Sequence, residues 1–67
     1  MQFQVEFDRE EDGRWIAEIT NLPGAMAYGM TREEALAAVE AIALRALAEK
    51  LETGRESLKS SVEFSCA

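Results

Sequence analysis

Two stretches near the start of the chain, residues 1–8 and 14–20, alternate hydrophobic and polar side chains. The apolar members of these stretches are Phe3, Val5, Phe7, Trp15, Ala17 and Ile19. A period of two with aromatic and β-branched residues predicts half-buried strands, and the Asp12-Gly13 pair between the stretches is a hairpin signal. We therefore predict two antiparallel strands that bury this apolar set, with Ile16 on the opposite face.

The centre of the chain, NLPGAMAYGMTREEAL at residues 21–36, combines a turn, a strand and a helix start. Pro-Gly predicts the turn, because proline fixes its own φ and glycine tolerates a positive φ. A short strand follows at residues 25–28 and carries Met26 and Tyr28. Thr31 and Glu34 have the T-x-x-E spacing of a capping box, in which each side chain accepts the backbone N–H of the other residue.

The helix is predicted from about residue 31 to residue 51 or a little beyond, with Gly54 as a left-handed residue at its end. Residues 58–66 alternate again and predict a fourth strand, with Val62, Phe64 and Cys66 facing inward. The fold class is therefore α+β, in the order β-β-β-α-β. We predict a two-layer domain spanning 1-67, with one antiparallel-rich sheet and a single long helix on one face.

The predicted helix carries more apolar surface than one thin sheet covers. One stripe, spaced three and four residues apart, consists of Ala35, Val39, Ile42 and Ala46. A second apolar arc is rotated from the first, and we predict that it forms an interface with a second copy or with a partner. The residues of this arc are Leu36, Leu44, Leu47, Leu51, Ala37, Ala41 and Ala48. The alternative is that the last strand and the 52–57 loop cover the arc within one copy.

Charge and composition narrow the class of partner. The 67 residues include 13 acids and 7 bases, which gives a net charge of −6. This charge repels phosphate backbones and suits a basic partner, with plain solubility as the simpler explanation. Because Lys and Arg never cluster, we expect no direct nucleic-acid binding. Cys66 is the only cysteine, and no leader or long apolar run is present, so we expect a cytoplasmic protein that does not contact a membrane.

Few residues suggest catalysis. The chain has no histidine, which excludes the common Ser-His-Asp, Cys-His and zinc arrangements, and its four glycines form no phosphate loop. Residues 8–13 resemble the start of a calcium loop, but Ile19 stands where the loop needs a glutamate, so a solvated hairpin tip is expected. We predict no enzymatic activity, no catalytic residue, no metal site and no cofactor.

Two sets of residues leave alternatives open. The carboxylates Glu6, Asp8, Glu18 and Glu63 share the outer face of the predicted sheet, where a vestigial metal-dependent nuclease is the weaker alternative to solvent-facing positions. Trp15 and Tyr28 are large for so small a protein. Core filling explains both more simply than a role as interface anchors.

The order and spacing of several short motifs resemble the HicB-like antitoxin family. The matching segments are Phe3-Gln4-Val5, Asp12-Gly13-Arg14-Trp15-Ile16-Ala17, Leu22-Pro23-Gly24 and Gly29-x-Thr31-x-Glu33-Glu34-Ala35-Leu36. Together they cover roughly residues 3 to 50. The chain departs from the family pattern at Ala25, where many members have cysteine, and at Asn21, which replaces a common proline.

The resemblance implies a degenerate ribonuclease-H-like domain that neutralises a small basic RNA-cleaving toxin of the HicA type by binding it. It also implies self-association, which agrees with the surplus apolar face of the helix. Many family members add a DNA-binding segment, and the chain ends at Ala67 without one. We therefore expect an antitoxin-like, non-enzymatic binding domain. The alternative is an oligomeric structural or regulatory module with no toxin.

Overall fold

A four-stranded sheet with one long helix on its inner face makes up the part of the chain that the structure describes. This computed structural model describes residues 1–54 and 61–66. The elements are β1 (Gln2–Arg9), β2 (Trp15–Ile19), β3 (Met26–Gly29), α1 (Arg32–Gly54) and β4 (Glu63–Cys66). The predicted α+β class and the order β-β-β-α-β are confirmed. The fourth strand was predicted from residue 58, but residues 55–60 lie outside the described part.

The sheet has the strand order β3-β2-β1-β4. β1 and β2 are antiparallel, with Val5 opposite Ile19, and β2 and β3 are also antiparallel. β4 pairs parallel to β1 and places Phe64 beside Phe3, their ring centroids 5.4 Å apart. A parallel pair needs a crossover connection, and α1 lies within the connection from β3 to β4.

The core lies between the inner face of the sheet and one ridge of α1. Buried residues of the sheet side are Phe3, Val5, Ala17, Ile19 and Ala25, and those of the helix are Ala35, Val39, Ala43 and Leu47. The helical ridge has a strict spacing of four residues, so it passes through Ala43 and Leu47. The predicted core stripe was wrong at Ala46, which is exposed. The prediction assumed a mixed spacing of three and four residues, which does not match the row of helix residues that contacts the sheet.

The turn between β2 and β3 forms as the Pro-Gly pair predicts. Ala25 donates its backbone N–H to the carbonyl of Leu22 at 3.1 Å, and Gly24 has a φ of +83°. This is the hydrogen bond of a β-turn with proline at its second position and a positive φ at its third, as in type II turns. The turn brings Ala25 into the core, where it is 2% exposed.

The start of α1 shows most of the predicted capping box. Glu34 donates its backbone N–H to the hydroxyl oxygen of Thr31 at 3.1 Å. The Glu34 carboxylate accepts the backbone N–H of Met30 at 2.9 Å, one residue before the expected donor. Both bonds satisfy backbone N–H groups near the helix start, and the two acids of the first turn favour the helix dipole. At the other end, Gly54 is the last helical residue and lacks the predicted left-handed φ.

β3 faces the opposite way from the prediction that Tyr28 fills the core. Ala25 and Ala27 pack inward, whereas Met26 and Tyr28 are 48% and 47% exposed on the outer face. On the same side of the strand, Gly29 lies so close to α1 that an added Cβ would overlap the backbone nitrogen of Ala35. Trp15 does pack against the core, partly buried.

Candidate protein-binding surfaces

The seven helix residues predicted to form an interface do not form one continuous surface. Leu47 is 8% exposed and belongs to the core. Leu36, Ala41 and Leu51 are half-buried, and Leu36 packs against the core cluster. The exposed members are Leu44, at 51%, with Ala37 and Ala48.

Four of the seven residues form a narrow stripe on the solvent side of α1. Ala37, Ala41, Leu44 and Ala48 recur at intervals of four, three and four residues, which places them on one helical face. We call this set the helix stripe. Its apolar area is small, because three of its four members are alanines. Of the other predicted leucines, Leu47 belongs to the core, and Leu36 and Leu51 are half-buried. Its role as an interface stays a prediction.

The outer face of the sheet presents a second surface, built from carboxylates and apolar side chains in register. Across β1 and β2, Glu6 lies opposite Glu18 and Asp8 lies opposite Ile16. Across β2 and β3, Glu18 lies opposite Met26 and Ile16 lies opposite Tyr28. Strand pairing therefore arranges the residues in two rows, each running from an acid on β1 to an exposed apolar residue on β3. A shallow groove between the β1 and β2 residues is lined mainly by acids.

Three arginines lie against aromatic rings at one end of the fold. Arg9 lies 5.3 Å from the ring centroid of Trp15, and Arg32 lies 4.0 Å from that of Phe7. Both of these rings pack against the core on the helix side of the sheet. Guanidinium groups gain favourable electrostatics over aromatic faces, and they also shield the edges of the core from water.

Arg14 is the arginine that borders the outer face. Its guanidinium lies 4.6 Å from the ring centroid of Tyr28 and donates to the Asp12 carboxylate at 2.8 Å. Asp12 also accepts the backbone N–H of Arg14 at 3.1 Å. That backbone hydrogen bond is the main cause that lowers the pKa of Asp12, and the guanidinium adds to it. Because Arg14 is shared between Asp12 and Tyr28, the hairpin holds the Tyr28 ring at the edge of the outer face.

The carboxylates of Asp8 and Asp12, in the segment that resembles a calcium loop, accept hydrogen bonds from the protein itself. Asp12 is bound by Arg14, and Asp8 accepts the backbone N–H of the next residue, Arg9, at 2.8 Å. Gly13 supplies the positive φ of the turn, at +92°. Among residues 1–54 and 61–66, no three side chains of the metal-binding types lie close enough to share an ion. Cys66, predicted to face inward, is exposed at the end of β4.

The sequence patterns did not predict the outer position of Met26 and Tyr28 or the role of Asn21. The Asn21 amide donates to the carbonyl of Gln2 at 2.8 Å, and its oxygen accepts the backbone N–H of Gln4 at 2.9 Å. The Asn21 side chain therefore forms the two hydrogen bonds to the β1 backbone that one residue of a neighbouring strand would form. Gly29 is the signal that could have oriented β3, because a glycine just before a helix start marks a close approach of strand and helix.

Comparisons of the chain with known protein families, with curated proteins and with solved structures found no match. In the part of the chain that the structure describes, no helix has the length and apolar character needed to cross a membrane.

Proposed function

We propose that this chain is an antitoxin-like binding domain of the HicB type, which neutralises a small basic RNA-cleaving protein of the HicA type by masking it. The observation that carries this proposal is that several motifs of the resemblance lie together at the connections between β2, β3 and α1. The Pro23-Gly24 turn, the glycine at residue 29 and the Thr31 cap jointly connect β2, β3 and α1. Each motif therefore has a structural reason for its spacing.

Charge supports the class of partner. A net charge of −6 on 67 residues attracts a basic protein over several ångströms and raises the rate of encounter. Masking requires a complementary surface and no reactive group, and both the helix stripe and the outer face of the sheet offer such surfaces. A cytoplasmic location is part of the same proposal, because a toxin that cleaves cellular RNA must be met where the RNA is.

Self-association with no toxin partner is the second candidate function, and the exposed helix stripe favours it. Leu44 is 51% exposed at the centre of an otherwise small-residue face, where a second helix can approach closely. A chain of this size also buries only roughly 60% of its unfolded surface and gains stability from association. Sedimentation at high micromolar concentration measures this directly: a strict monomer excludes the oligomeric module.

The proposed function predicts that a small basic protein is encoded beside the chain's own gene, and co-expression with that protein tests the proposal. The proposal predicts that the neighbouring protein arrests growth when expressed separately, that the present chain restores growth, and that the two proteins co-purify. Gly29→Ala, which disrupts the connection between β3 and α1, provides a poorly folded control that should not restore growth. Growth arrest that persists at a tenfold excess of the folded chain would refute the antitoxin function.

A further inference from the structure

The charged side chains at the outward strand positions of the described residues are all acids, and Arg14 is a cation that lies over the Tyr28 ring at the border of this face. The outward positions of β1, β2 and β4 include the acids Glu6, Asp8, Glu18 and Glu63. None of the outward strand positions in the described residues is Lys or Arg. Two of the three arginines that stack on rings lie on the helix side, and Arg14 at the border is bound to Asp12. The acids of this face are therefore not neutralised by the strands that carry them.

Glu6 and Glu18 form a like-charge pair that the fold does not require. They lie directly opposite each other across β1 and β2, an arrangement that destabilises a sheet. Neither carboxylate has an ion-pair or hydrogen-bond partner within the described residues. Any neutral polar side chain would serve equally well as an outward strand residue at either position. The pair is thus a stability cost that a cationic group from outside would remove.

Exposed apolar side chains continue the same two rows. Met26 extends the row of Glu6 and Glu18, and Tyr28 extends the row of Asp8 and Ile16. Both side chains are nearly half exposed, at 48% and 47%, and they stand on β3, which is one of the two edge strands of the described sheet. Tyrosine and methionine are enriched in protein interfaces relative to the rest of the surface. A partner that reaches this edge meets Met26 and the Tyr28 ring, which Arg14 stacks against, and it meets acids immediately beside them.

We propose that the outer face of β1, β2 and β3 is the docking surface for a basic protein partner, whose lysine or arginine side chains reach Glu6 and Glu18 while its apolar side chains cover Met26 and Tyr28. This inference rests on the proposed function and names the surface that performs it. It assigns the partner to the sheet and leaves the helix stripe for contacts between copies.

Charge complementarity decides the occupant. A second copy docked here about a twofold axis would bring its own Glu6 and Glu18 against the same acids, which is repulsive. A nucleic acid or an anionic membrane would be repelled by the same carboxylates. A protein surface that carries cations beside apolar groups can pair with the acid of each row and also cover the apolar residue at its other end. The predicted partner chemistry is therefore a basic, partly apolar strand or helix.

Mapping a defined probe onto the protein by NMR tests the location. The probe is a blocked heptapeptide that alternates lysine and leucine, and its control carries glutamate in place of lysine. The inference predicts that the lysine peptide shifts the backbone amide signals of residues 4–8, 16–19 and 26–29 of the 15N-labelled chain, while residues 37–48 of the helix stay unchanged. The glutamate peptide should leave all signals unchanged. Shifts confined to the helix stripe, or no shifts at millimolar lysine peptide, would overturn the inference.

A matched pair of double variants tests the residues. Glu6→Gln with Glu18→Gln should raise the Kd for the lysine peptide on the order of tenfold at low salt, because two charge pairs are lost. Glu49→Gln with Glu52→Gln removes the same charge from exposed positions of α1 and should change the Kd less than about twofold. Equal weakening by both double variants would mean attraction to net charge only and would overturn the proposed surface.

Two further readouts separate this inference from its alternatives. The sheet variant should melt at a higher temperature than the parent chain, since it relieves the like-charge pair, so weaker binding cannot result from unfolding. In an assay of RNA cleavage by the neighbouring basic protein, full protection by the sheet variant at the parent's concentration refutes the surface but leaves the function intact. No protection by the parent chain, with the peptide still mapping to the sheet, refutes the function but leaves the surface intact.

Discussion

Gly29 is the position where a single methyl group should do most damage to this fold. A Cβ added there would overlap the backbone nitrogen of Ala35 and lie 2.8 Å from both the carbonyl carbon and the Cβ of Glu34. Main-chain atoms in the first turn of a helix cannot rotate away as a flexible side chain can. We therefore expect Gly29→Ala to push β3 away from α1 and to disturb the Thr31 cap.

The size of the effect follows from these contacts. Overpacking a well-packed site costs typically 1–3 kcal/mol, and a clash with the main chain belongs at the upper end, at about 3 kcal/mol. A 67-residue domain has a total stability of roughly 3–10 kcal/mol, so this loss is a large fraction of the whole. At roughly 4–8 °C per kcal/mol for a domain of this size, the melting temperature should fall by about 12–24 °C.

Circular dichroism during thermal and urea unfolding measures the change, and two other glycines provide controls. Gly54→Ala adds a methyl group that meets no atom of residues 1–54 and 61–66 within 4 Å, and it should stabilise the protein by up to about 1 kcal/mol. Gly24→Ala also meets no atom of the described residues within 4 Å, but its φ of +83° should cost about 1–2 kcal/mol. If Gly29→Ala costs no more than Gly24→Ala, the close approach of β3 to the helix is not the constraint that we describe.

Four further variants address the strand bridge, the core, the helix stripe and the hairpin. Asn21→Ala removes two hydrogen bonds to β1 and should cost about 1–2 kcal/mol in urea unfolding; a loss no larger than 0.3 kcal/mol would contradict the bridge. Leu47→Ala should cost about 2–4 kcal/mol because it opens a cavity in the core, whereas Leu44→Ala should stay within about 0.5 kcal/mol and instead reduce self-association in sedimentation. Equal costs for these two leucines would contradict the observed ridge. The lowered native pKa of Asp12 means that its stabilisation is present above the ordinary value of about 3.9 and is lost as the pH falls through the native value. Asp12→Asn should therefore make stability less dependent on pH in acid, and an unchanged pH profile would show that the hydrogen bonds from Arg14 are absent in solution.

Local patterns predicted the elements of this fold well, because each element carries its own signal. Period-two alternation located β1 and β2, the Pro-Gly pair located the turn, and the T-x-x-E spacing located the start of α1. These signals depend on neighbouring residues only. The element order and the two-layer arrangement then follow from the need to cover one apolar face of the sheet.

Contacts between distant elements were harder to predict. The helical ridge that meets the sheet depends on how α1 crosses the strands, so Leu47 was assigned to an interface although it lies in the core. The orientation of β3 depends on the approach of Gly29 to the helix, so Tyr28 was assigned to the core although it lies on the outer face. The hydrogen bonds from the Asn21 side chain to β1 are long-range contacts that no local pattern predicts.

The candidate binding surface illustrates the same difference. Alternation placed Glu6, Asp8 and Glu18 on one side of the sheet from the sequence. Only the strand register shows that Glu6 and Glu18 are direct neighbours and that Met26 and Tyr28 continue their rows. Before the register is known, these acids are indistinguishable from ordinary solvent-facing residues.

The proposed function requires a small basic RNA-cleaving partner, for which a protein encoded beside this gene is the first candidate. Titration of the purified chain into that candidate tests the central claim most directly, with cleavage of a fluorescent RNA as the readout. We predict that cleavage falls with each addition and stops near a stoichiometric ratio, and that the Glu6→Gln and Glu18→Gln double variant needs on the order of tenfold more protein. Cleavage that continues undiminished at saturating chain, or RNA cleavage by the chain itself with magnesium or manganese, would contradict the account.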